Sequence, residues 1–122
     1  MKPIRAYFMA AIVLCTFSAA AAITERQAVA GIIGESGGES FAAQCAVASC
    51  IRHRNSPSGI YGIRNPVAAR ATPSVKARAL AAWYHSDTMP GVKYFGCAAD
   101  AKYFRGIGLH AVKTIGGITF WK

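Results

Sequence analysis

The clearest capacity for chemistry lies in the acids of one short stretch, Ile32-Ile33-Gly34-Glu35-Ser36-Gly37-Gly38-Glu39-Ser40-Phe41. Glu35 stands where a helical apolar pattern meets a glycine break, so its carboxyl can face a cleft while apolar neighbours hold it. That is a setting for a general acid. Four of the five acids in the chain have structural explanations. Glu25 falls in the first turn of an expected helix, where negative charge is favoured. Glu39 precedes a helix cap at Ser40, Asp87 sits in a turn, and Asp100 has the position of a cap. Glu35 alone lies at a helix C-terminus, where the dipole opposes a carboxylate.

Other catalytic schemes find little support. The chain has no G-x-S-x-G elbow and no Cys-to-His spacing of a known thiol nucleophile. His53, His85 and His110 are scattered, without the spacing that places two ligands on one helix face. Neither a metal nor a cofactor is expected.

The elements that must position Glu35 are legible from caps and periodicity. Thr24-Glu25-Arg26-Gln27 has capping-box spacing, and Val29, Ile32 and Ile33 form an apolar stripe, so a first helix runs to about Gly34. Ser40 caps a second helix, Phe41 to Arg54, which is apolar on nearly every side and therefore central and buried. Asn55 to Gly59 is a turn, and Ile60 to Pro73 is irregular, broken by Gly62, Pro66 and Pro73. Ser74 opens a third helix through about His85. Val92 to Phe95 is strand-like, and Ala99 to Phe104 is a helical turn. Val112–Ile115 and Ile118–Trp121, joined by Gly116-Gly117, read as a β-hairpin. Helices first and a small β element last make an α+β domain.

Residues 1–22 read as a signal peptide ahead of a domain over 23–122. Lys2 and Arg5 precede a 12-residue apolar run, Ala6 to Phe17, and Ala20-Ala21-Ala22 offers a cleavage site. The run is short for a membrane span, so the expectation is export to the periplasm or cell wall, with transient membrane contact through the leader. Without it, twelve Lys and Arg face five acids, a net charge of +7. That balance favours polyanionic partners; export argues against nucleic acid. Cys45 and Cys50 on one helix lie about 8–9 Å apart, too far to bridge, so any disulfide joins Cys97 to one of them.

The same residues resemble cell-wall hydrolases of the spore-cortex-lytic (SleB) type. That family opens with E-x-x-G-E, matched by Glu35-Ser36-Gly37-Gly38-Glu39. A helix block follows, matched by Ala43-Gln44-Cys45-Ala46-Val47-Ala48-Ser49-Cys50-Ile51-Arg52-His53-Arg54. Tyr94-Phe95, Tyr103-Phe104 and Ile115-Gly116-Gly117-Ile118-Thr119-Phe120 resemble its closing blocks, and the similarity spans most of residues 26–121. His53 stands where the family has Asn, the Ile60–Pro73 segment is shorter, and Gly117-Ile118 lacks the family's His. The resemblance implies a lysozyme-like fold, mainly helical with a small C-terminal hairpin. It also implies a monomer that cleaves peptidoglycan glycan strands between N-acetylmuramic acid and N-acetylglucosamine. Glu35 inherits the catalytic role, with Glu39, Tyr94, Phe95 and Tyr103 expected against the substrate. A lytic transglycosylase needs only that one carboxylate. A hydrolysing muramidase would recruit Glu39 or Asp100 as its second. Outside the enzymes stand an inactive cationic wall-binding or lysis-accessory protein and a membrane-active cationic protein.

Overall fold

The computed structural model describes residues 22–122; the expected leader lies outside them, save Ala22. Helix α1, Glu25–Ser36, begins with the expected capping box. The Gln27 N–H donates to the Thr24 hydroxyl at 3.1 Å, and the Thr24 N–H donates to the Gln27 side chain at 3.0 Å. The helix runs past Gly34 to Ser36, because the Gly37 N–H still reaches the Ile33 carbonyl at 2.8 Å. Glu35 therefore belongs to the last turn itself.

Helix α2, Phe41–Arg54, has the expected bounds, and Ser40 caps it by accepting from the Ala43 N–H at 3.2 Å. Every residue from Ala43 to Ile51 is buried, which makes α2 the centre of the molecule. It ends where Asn55 turns left-handed, at φ 48°.

The segment expected to be irregular is more ordered than its prolines and glycine suggest. It forms a 3-10 turn, Tyr61–Arg64, and a short helix α3, Pro66–Ala69. Helix α4 covers Pro73–Trp83. Its cap is Thr72 rather than Ser74: the Thr72 hydroxyl accepts from the Val75 N–H, and Pro73 takes the first position, where its missing N–H costs nothing.

Strand β1, Tyr94–Gly96, leads into a 3-10 turn, Ala98–Asp100, and helix α5, Ala101–Gly106. Asp100 does not cap α5; its carboxylate turns back to accept from the Cys97 N–H at 2.9 Å. Strands β2, Ala111–Ile115, and β3, Ile118–Trp121, form the expected hairpin, with Ile115 opposite Ile118 and Gly116 at φ 57° in the turn. The sheet is antiparallel in the order β1-β3-β2, with Phe95 opposite Phe120. Central strand β3 buries Ile118, Phe120 and Trp121. These join Ile32, Val47, Ile51, Ala79 and Val92 in the core, so the α+β expectation holds. Among the described residues no helix is long and apolar enough to cross a membrane.

The expected disulfide does not form: Cys45, Cys50 and Cys97 are free thiols. Cys45 and Cys50 are buried on α2, whereas Cys97 is exposed beyond β1. Burial pushes the Cys50 thiol up to about 12, with the Asp87 charge adding to the effect, and burial likewise raises Cys45. In native protein at about pH 8, an alkylating reagent should modify Cys97 but spare Cys45 and Cys50 until denaturant is added. Peptide mass mapping reads the outcome, and a blocked Cys97 would restore the disulfide.

A side-chain clasp joins α2 to the segment that leads into the sheet. His53, near the end of α2, places Nδ1 2.9 Å from the Val92 carbonyl and Nε2 2.7 Å from the Asp87 carboxylate. Burial pushes the Asp87 carboxyl upward, but the Met89 N–H and His53 outweigh it and hold the group below the usual carboxylate range. A carboxylate depressed on folding stabilises the fold above its ordinary value and loses that contribution as pH falls through the lower folded one. Between neutral pH and about pH 3, the midpoint of thermal unfolding should therefore fall more for the parent than for Asp87→Asn. Parallel curves for the two would show that the clasp contributes nothing.

Candidate active site

Glu35 is placed by glycine. Where the last turn of α1 meets the Tyr61–Arg64 turn, a Cβ on Gly34 would collide with the Gly62 carbonyl. A Cβ on Gly62 would lie 2.7 Å from the Glu35 Cγ and 2.8 Å from the Gly31 carbonyl oxygen. Both are separations that real Cβ atoms essentially never show. Two residues without side chains thus let the backbones touch, and the Gly62 N–H donates to Glu35 Oε1 at 2.8 Å.

The rest of the helix end is tied down as well. The last carbonyls of a helix have no partners within it, and here side chains from other elements supply them. Asn65 Nδ2 donates to the Gly34 carbonyl at 3.5 Å, and Gln44 Nε2, buried on α2, donates to the Ser36 carbonyl at 3.1 Å. The buried Ser36 hydroxyl donates back to Ile32 at 2.7 Å. The turn that carries Glu35 is held on three sides.

Glu35 is half-buried at the edge of a cleft of about 680 Å³. All five residues expected at the site line that cleft: Glu35, Glu39, Tyr94, Phe95 and Tyr103. Glu39 does not serve the α2 N-terminus, as the sequence suggests. Its carboxylate lies against the hairpin turn, where a Cβ on Gly116 or Gly117 would strike it, the latter at 2.9 Å from Oε1. Phe95 is partly committed to packing, with its ring 6.3 Å from that of Phe120, and Tyr94 leans on Phe104 at 6.2 Å. Tyr103 stands 67 % exposed.

The chain matches no family model, no curated protein and no solved structure. The assignment of the site therefore stands on its geometry.

The cleft also holds residues that the sequence does not place at a site, among them Arg54, Tyr61 and Cys97. In sequence, Tyr61 and Gly62 belong to a broken, featureless run; only the fold brings them beside Glu35. Asp100 resembles a cap in sequence, yet it adds a third carboxylate to the lining, fixed by the Cys97 N–H and thiol. Three acids against one arginine make the cleft locally acidic within a strongly basic chain. Of the two oxygens of Glu35, Oε1 is held by Gly62, while Oε2 has no protein donor among the described residues. Such a carboxyl is fixed in place and free to exchange a proton with whatever occupies the cleft.

Gly62→Ala should force the 3-10 turn off α1. An overpacked backbone contact costs about 1–3 kcal/mol, and each kcal/mol lowers the unfolding midpoint by about 4–8 °C in a domain of this size. Calorimetry measures the loss. An unchanged midpoint would mean that the Gly34–Gly62 contact does not govern the position of Glu35.

Proposed function

We propose that this chain is an exported cell-wall glycosidase, a lytic transglycosylase on a lysozyme-like scaffold, acting between N-acetylmuramic acid and N-acetylglucosamine. The observation that carries the reading is Glu35 itself: half-buried, fixed through Oε1, and set in a cleft lined by tyrosine and phenylalanine rings. The motif resemblance, which centres on the same residue, supports it independently of the cleft. Aromatic rings present flat apolar faces to the C–H faces of sugars, and the acid supplies the proton that a leaving glycosidic oxygen requires.

In the proposed reaction, protonated Glu35 gives its proton to the bridging oxygen as the bond from that oxygen to the muramoyl anomeric carbon breaks. The carboxylate left behind keeps the Gly62 N–H as its donor. It then takes the proton from the muramoyl 6-hydroxyl, whose oxygen attacks the same carbon and closes a 1,6-anhydro ring. One carboxyl serves both steps, and no water is consumed.

A hydrolysing muramidase is the second reading, favoured by Glu39 in the same cleft. Asp100 is already engaged by Cys97, whereas the Glu39 carboxylate has no hydrogen-bond donor among the described residues, so Glu39 is the better candidate to activate a water. Product mass separates the two: anhydro ends are one water lighter than reducing ends. Under either reading, Glu35→Gln should cut release of muropeptides from purified sacculi by at least about 10²-fold while leaving the unfolding midpoint near that of the parent. Wall binding without release by the parent would leave an accessory protein instead. Undiminished release by the variant would remove Glu35 from the mechanism.

A further inference from the structure

Tyr61 is the most exposed of the large hydrophobic side chains described, at 86 %, yet both its chain neighbours are buried. Ile60 before it is buried in the core, at 4 % exposure. Gly62 after it is buried, packs on Gly34 and holds Glu35. A ring projected into solvent from a pinned backbone adds almost nothing to folding, because it buries almost no apolar surface. It stands ready for an outside partner, with the backbone beneath it already ordered before binding. Tyr61 adjoins the residue that bonds Glu35 and lines the same cleft, so whatever stacks on its ring shares that cleft with the acid.

The chemistry of the cleft limits that partner. Glu35, Glu39 and Asp100 outnumber Arg54 in the lining, so a polyanion drawn to the basic exterior meets repulsion inside. A neutral ring with an apolar face does not.

Resting on the glycosidase reading of the same cleft, we propose that Tyr61 is a stacking platform for an uncharged N-acetylhexosamine ring of the glycan. It is a specificity-determining residue that acts through sugar binding rather than proton transfer.

The test is a calorimetric titration of the full chain carrying Glu35→Gln, with the N-acetylglucosamine hexamer as a neutral probe. Tyr61→Ala in that background should weaken binding about tenfold, the loss expected for one stacked ring face. Tyr61→Phe, which keeps the ring and removes the hydroxyl, should bind like the parent. Affinity should barely change between low and physiological salt, since the probe is uncharged. Unfolding midpoints should match across the series because the side chain is exposed. Equal binding by Tyr61→Ala, weakening by Tyr61→Phe as large as that by Tyr61→Ala, steep salt dependence, or no binding by the parent would each overturn the proposal. Failure of the catalytic reading would appear elsewhere, as wall lysis that survives Glu35→Gln.

Discussion

The site depends on one backbone contact. Gly34 and Gly62 meet where neither tolerates a Cβ, and from that contact follows the hydrogen bond between the Gly62 N–H and Glu35. A carboxylate at a helix C-terminus faces the negative end of the dipole and finds no intrahelical donor there. A donor must therefore come from another part of the chain, and it must come close. Two glycines allow that approach, while Asn65 and Gln44 occupy the neighbouring carbonyls and keep the helix end from fraying.

Helix α2 transmits this arrangement to the other half of the cleft. A helix buried along most of its length has little reason to carry polar residues unless each finds a partner. Its buried Gln44 holds the end of α1, and its buried Ser49 accepts from the Thr88 N–H at 3.1 Å. His53 then engages Val92 and Asp87, just ahead of β1. The polar positions of α2 are struts between the segment that supplies the acid and the one that supplies Tyr94 and Phe95. The histidine has a definite job there, since its two ring nitrogens reach two separate acceptors.

What was legible in the sequence was local. The capping box at Thr24, the cap at Ser40, the bounds of α2 and the hairpin around Gly116-Gly117 all follow from residues within a few positions of one another. Glu35 stood out because the same local logic left it without a structural explanation. The long-range features were hidden. Gly62 reads as a helix breaker, and nothing in its neighbourhood announces a contact with Gly34. Asp100 has the spacing of a cap, but its carboxylate is captured by Cys97 instead. Helix geometry correctly separates Cys45 from Cys50, yet spacing cannot say that Cys97 faces solvent while both possible partners are enclosed. Tyr61 gives no signal until its exposure and its pinned backbone are seen together.

The charge of the chain and the charge of its cleft have opposite signs, and this divides the work on the glycosidase reading. A net charge of +9 on the chain, +7 of it on the described residues, acts at the range of the screening length, about 8–10 Å at moderate salt, and on that reading gathers the protein onto a polyanionic wall without selecting any bond. Inside the cleft, acids and aromatic rings meet the substrate at contact distance, where charge attraction to a polyanion would only misplace it. Surface affinity should therefore respond to salt while sugar recognition does not. A basic wall-binding protein without a glycosidase site would need the first property alone; neither an acid clamped by Gly62 nor a tyrosine held out beside it would then have a use.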